Sequence, residues 1–194
     1  MGLIIDIQEK RFGRKKIFEN LNLSFPDKGL FILSANSGRG KTTLLRIIAG
    51  LDRDFSGSVI GGGASNVSFH FQEYRLFDNL TALDNVAQLS FKELNQENTD
   101  LAVNTLKCLG FSEEDIHLYP KELSGGMKIR VSFARAILRK TPILLLDEPT
   151  KELDRETVGP IYTYINDISK ERLVILVTHE RDLSNFDNPN VIKL

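Results

Sequence analysis

Apolar and polar residues alternate weakly over residues 3–8 and again over residues 17–25, where Leu21, Leu23 and Phe25 share one side. Each stretch reads as a half-buried strand. Three other stretches, residues 30–33, 143–146 and 173–177, are continuously apolar. That is the pattern of strands covered on both faces, as in a parallel sheet. Residues 67–71 and 191–194 read as two more short strands, and the glycine-rich residues 57–64 as a connector between short strands. Between them the period becomes helical. Leu44, Ile47 and Ile48 share a face, with Gly50 as the C-cap. Thr81 caps a helix running through Val86 and Leu89. Thr99 caps another, with Leu101, Thr105, Cys108 and Leu109 along one side and Gly110 at its end. Ser112 to Asp115 resembles a capping box for a short third helix. A further helix starts at Leu123-Ser124-Gly125-Gly126 and runs through Leu138. A last one covers residues 156–170, with Pro160 near its first turn. Residues 74–140 are thus mostly helical and inserted between strands. The alternation predicts an α/β fold with a mainly parallel sheet.

Composition narrows the picture. The 194 residues are 41% hydrophobic, enough for a sizeable core in one domain. A formal net charge of -1 offers no broad basic field for nucleic acid. Arg11, Arg14, Lys15 and Lys16 read as a local solvated turn. The single cysteine, Cys108, excludes an intrachain disulfide and a multi-cysteine metal site, and its apolar neighbours predict burial. No signal peptide is visible at the start, and the aliphatic run 143–146 is far too short to span a bilayer. The expectation is a soluble intracellular chain whose membrane role, if it has one, comes through a partner.

The chemistry gathers at strand ends. After the run 30–33 come Ser34, Ala35, Asn36, Ser37, Gly38, Arg39, Gly40, Lys41, Thr42 and Thr43, then a helix. A strand, a glycine-rich loop and a helix opening on Lys-Thr make a phosphate cradle. Loop and first-turn N–H groups face an anion, Lys41 reaches the β- and γ-phosphates, and the Thr42 hydroxyl suits Mg²⁺. The loop pattern wants glycine at position 35, where alanine would penalise a positive φ. Asp147 ends the strand 143–147 and can hold Mg²⁺; Glu148, one residue on, can orient or deprotonate an attacking water. Ser124, Gly125 and Gly126 open a helix, where N–H groups and the helix dipole favour phosphate. His179 ends another strand at the sheet edge where ligands bind in open α/β folds. Gln72 also ends a strand, and Phe12 either stacks on a base or covers core. Each feature has a plainer reading alone: a chance Gly-Lys-Thr, a polar turn at Asp147-Glu148-Pro149, a helix N-cap at Ser124, a structural histidine.

Together these motifs resemble one family along essentially the whole chain: the ATP-binding subunits of ABC (ATP-binding cassette) transporters. The order is phosphate loop, Gln72, Leu-Ser-Gly-Gly, Ile-Leu-Leu-Leu-Asp-Glu-Pro-Thr, Leu153-Asp154 and Thr178-His179. The resemblance implies a P-loop NTPase fold with N-terminal antiparallel strands and an inserted helical subdomain. It implies that Phe12 stacks on adenine, residues 35–43 wrap the phosphates, and Gln72 senses Mg²⁺ and water. Glu148 would be the catalytic base and His179 would contact the γ-phosphate. Ser124 to Gly126 would close over ATP held by a second copy, with Asp154 at that interface. Two copies would sandwich two ATP molecules head to tail. They would drive a transmembrane permease subunit from the cytoplasmic face, with no nucleic acid involved. The loop around Glu73 to Phe77 looks importer-like. Three departures stand out: Ala35 for glycine, Met127 for glutamine, and Lys151-Glu152 for a small pair. A soluble ABC-type ATPase and a nucleotide-gated interaction module are the alternative functions.

Overall fold

The computed structural model describes residues 2–36, 38–179 and 183–194, leaving aside the side chains of Arg155 and Glu156. It divides into two compact units. One comprises Met1–Phe69, Thr141–Asp147 and Asn166–Leu194, the other His70–Lys140 and Glu148–Ile165.

The first unit contains an antiparallel hairpin, β1 (Leu3–Phe12) and β2 (Lys15–Phe25), turned at Gly13. β3 (Gly29–Ser34) leads through the glycine-rich loop to α1 (Lys41–Ile48), and β4 (Ser56–Ile60) pairs antiparallel with β1. Leu3, Ile5 and Ile7 of β1 face the core, as the alternation predicts. A second sheet is built from β5 (Val67–His70), β6 (Ile143–Asp147), β7 (Leu173–Val177) and β8 (Asn190–Lys193) together with β3, in the order β5-β6-β7-β3-β8. β6, β7, β3 and β8 run parallel. Every residue of β6 and β7 is buried, which accounts for their unbroken apolar runs. α1 buries Leu44, Leu45, Ile47 and Ile48 into the same core as Leu33, Leu145 and Ile175.

Sequence periodicity missed one buried charge in this unit. The β1–β2 register slips between Lys10 and Arg11, so that Lys10 faces Phe18 and Arg11 faces Lys16, with Ile17 as the extra residue. Lys10 is only 1% exposed. Its ammonium donates to Asp52 Oδ1 at 2.8 Å and to the Asp54 carbonyl at 2.7 Å, and lies 4.5 Å from the centre of the Phe12 ring. A buried ion pair adds little over an apolar pair, yet removing one partner strands the other charge. Lys10→Ala is therefore expected to lower the unfolding free energy by about 3 kcal/mol. The check is urea denaturation: the midpoint falls while the slope holds, and an unmoved midpoint contradicts the expectation.

In the second unit, α2 (Ala82–Ser90) packs against α3 (Gln96–Cys108) and α4 (Gly125–Leu138). Thr81 caps α2 by accepting from Asp84 N, and Ser124 caps α4 by accepting from Met127 N. The start expected at Thr99 is wrong. Asn95 caps α3 instead, accepting from Asn98 N at 2.9 Å, and the helix begins three residues before Thr99. Of the expected inner residues Thr105 and Leu109 are buried, together with Ala102 and Leu106, while Leu101 and Cys108 are exposed. The expected burial of Cys108 is thus also corrected. Ser112 and Asp115 do exchange backbone and side-chain bonds, but the helix they open is a single 3₁₀ turn, Asp115–His117.

α5 (Arg155–Glu171) starts in the second unit and ends in the first. Pro160 is its sixth residue rather than in its first turn, so the helix loses one internal N–H donor there. Among the described residues, no helix is long and apolar enough to cross a membrane.

Candidate functional site

In the first unit, the parallel register sets three strand ends level. Asp147 pairs with Val177, and Val177 with Leu33. One residue further, the chain enters the glycine-rich loop from β3 and Thr178-His179 from β7. This edge therefore carries the loop, Asp147 and His179 together. Asp147 is 1% exposed, whereas His179 is exposed.

The loop is a tight wrap. Arg39 N donates to Asn36 O, and Gly38 and Gly40 take positive φ of 75° and 90°. A side chain at Gly40 would lie 2.5 Å from Ile17 Cγ2, so both backbone and space require glycine. Ala35 is not among the residues with positive φ, so its methyl carries no such penalty. Lys41 is buried, and its ammonium bends back to donate to Ala35 O at 2.8 Å. That contact holds the cation across the loop. Thr42 and Thr43 are half-buried in the first turn of α1, and Asn36, Gly38 and Arg39 are exposed. Ser37 lies outside the described residues. A cavity of about 540 Å³ adjoins this edge, lined in part by Ala35, Asn36, Thr178, His179 and Lys193. Phe12 ends β1 and is 53% exposed, with its ring beside the buried Lys10 ammonium.

In the second unit, Gln72 and Glu148 line one cavity of about 270 Å³. Glu148 is half-buried at a φ of 53°, a left-handed conformation rare for glutamate. Sequence reasoning gave no part to Tyr74 in this cavity. Its hydroxyl donates to Glu152 Oε2 at 3.2 Å; burial and then the Glu152 charge push the phenol above its ordinary pKa. Arg135 of α4 donates to the carbonyls of Arg75 and Tyr74 and so fixes the loop behind Gln72. Burial lowers the Arg135 pKa, followed by the nearby Arg75 charge. Ser124 and Gly125 are exposed at the start of α4, with Gly126 half-buried beneath Leu153. Asp154 caps α5, accepting from Thr157 N at 2.9 Å.

A parallel sheet whose edge carries a strand–glycine-rich loop–helix unit and a buried aspartate defines a P-loop NTPase. A sequence model described as ABC transporter matches residues 18–151. The aliphatic sulfonates import ATP-binding protein SsuB of Bacillus licheniformis is 39% identical over 200 aligned positions, covering 96% of this chain and 77% of that protein. The sulfate/thiosulfate import ATP-binding protein CysA of Mesostigma viride is 35% identical, covering 93% of this chain and 56% of that protein. Among solved structures, the dimeric ATP-binding cassette MJ0796 superposes with a TM-score of 0.82 at 28% identity, over 98% of this chain and 94% of that one. A post-hydrolysis state of the same cassette, bound to ADP and Pi, gives 0.78 over 92% and 88%. The chain belongs to the ABC transporter family as an ATP-binding subunit, and it is an ATPase.

Proposed function

We propose that two copies of this chain close head to tail around two ATP molecules and drive import through a separate transmembrane permease, from the cytoplasmic face. The observation that carries this reading is the level row of strand ends, with the phosphate loop, buried Asp147 and His179 on one sheet edge. The import direction is supported by the names of SsuB and CysA.

Each residue has a task in this reading. The N–H groups of residues 35–43 wrap the phosphates and Lys41 neutralises the β- and γ-oxygens. Phe12 stacks on adenine. Glu148 takes a proton from the attacking water, Gln72 orients that water, and His179 holds the γ-phosphate. Ser124, Gly125 and Gly126 present the start of α4 to ATP bound by the other copy. Mg²⁺ fits the donors present: the Thr42 hydroxyl and the buried Asp147 carboxylate, both of the first unit, are oxygen donors that would hold it. Bound there, the ion would offset charge on the β- and γ-phosphate oxygens.

The test is to tag the chain in its native cell and identify what co-purifies from membranes. The expected partner is a multi-span membrane protein that raises ATP turnover when both are reconstituted in liposomes. Recovery with nucleic acid or ribosomes, and no membrane protein, would instead favour a soluble ABC-type ATPase.

A further inference from the structure

The sequence places Lys151 and Glu152 where the family resemblance leads one to expect two small residues, and the structure gives each a partner. Residues 148–153 fold as two overlapping turns: Lys151 N donates to Glu148 O and Leu153 N to Thr150 O, each at 3.2 Å. Both Glu148 and Glu152 hold positive φ, 53° and 65°. Such conformations cost energy for residues with side chains and persist where surrounding contacts impose them. The turns bring Lys151 Nζ to 3.7 Å from Glu148 Oε2. They also set Glu152 Oε2 to accept from Tyr74, two residues after Gln72. Gln72, Tyr74, Glu148, Lys151 and Glu152 line the same cavity.

We infer that Lys151 is a positioning residue that restrains Glu148, with the Tyr74–Glu152 hydrogen bond holding the restraint in place. The inference rests on Glu148 being the base. A base must offer a carboxylate oxygen to the water it deprotonates. An ammonium beside that oxygen competes with the water for its place. Glu152 ties the same turn to the segment after Gln72, so a shift of that segment frees Lys151 from Glu148. Hydrolysis then speeds up when the Gln72 loop moves.

Lys151→Met keeps the length of the side chain and removes its charge. Lys151 is 46% exposed, so the pair is of modest strength; kcat is expected to rise about five-fold with KM for ATP unchanged. Lys151→Arg should return kcat to near the parent value. Tyr74→Phe should give part of the gain and add nothing on top of Lys151→Met. In a Glu148→Gln background, Lys151→Met should change nothing. Thermal melting confirms that each variant is folded, and Lys151→Gln replaces Lys151→Met if the latter is not. An unchanged or lower kcat in the folded variant overturns the inference, as does an equal gain in the Glu148→Gln background. If Glu148→Gln itself turns over ATP at the parent rate, the base assignment fails and the restraint with it. A silent Glu148→Gln beside an unmoved Lys151→Met sinks the restraint alone.

Discussion

Glu148→Gln should lower steady-state ATP turnover by about 10²–10⁴-fold, the usual range for removing a general base, while ATP binding persists. The amide is nearly isosteric with the carboxylate, so the left-handed turn at 148 and the cavity shared with Gln72 should survive. What disappears is the proton acceptor. Single-turnover hydrolysis of radiolabelled ATP, beside equilibrium binding, separates the two effects. Loss of binding in parallel with loss of turnover would assign Glu148 to the fold or to nucleotide affinity instead of chemistry.

Lys41→Ala should act on both. The Lys41 ammonium is buried and held by Ala35 O on one side. With a triphosphate in the loop it becomes the nearest fixed cation of α1. Removing such a preorganised charge typically costs about 10²–10³-fold in rate. Because the phosphates carry charge before and after the reaction, affinity for ATP should fall as well. The cleanest check is calorimetric binding of ATP and ADP by the folded variant, followed by turnover at saturating ATP. Parent-like binding and turnover would remove Lys41, and with it the phosphate loop, from the site.

Much of this was legible because the physics is local. β6 and β7 are buried on both faces, so their aliphatic runs announce a parallel sheet without any knowledge of partners. The loop from β3 to α1 is marked by glycines that the backbone cannot replace, Gly40 above all. Thr81 and Ser124 cap the helices they were expected to cap, since each carries its own acceptor for the first turn. Where several cap residues compete, local reasoning failed. Asn95, Asn98 and Thr99 can all accept, and Asn95 is the one that takes the Asn98 N–H.

Long-range pairs were not legible at all. Lys10 and Asp52 are 42 residues apart, and Tyr74 and Glu152 are 78 apart. Nothing in spacing or periodicity joins them. Lys10 falls on the outward side of the alternation set by Leu3, Ile5 and Ile7, and the irregularity between Ile7 and Glu9 that turns it inward leaves no mark in the sequence. The concern over Ala35 had the opposite origin. It came from a sequence pattern, and the backbone at that position makes no demand for glycine.

In the proposed function one chain holds half of each hydrolytic site and its copy completes it. The most direct measurement is the mass of the Glu148→Gln protein in solution, by light scattering, with and without Mg²⁺ and ATP, together with the count of bound nucleotides. Without nucleotide the protein should be a monomer. With ATP it should be a dimer carrying two ATP molecules, one that Ser124→Arg at the start of α4 prevents without abolishing ATP binding to the monomer. A monomer that binds ATP tightly and stays a monomer, or a dimer indifferent to both ATP and Ser124, would contradict the proposed function.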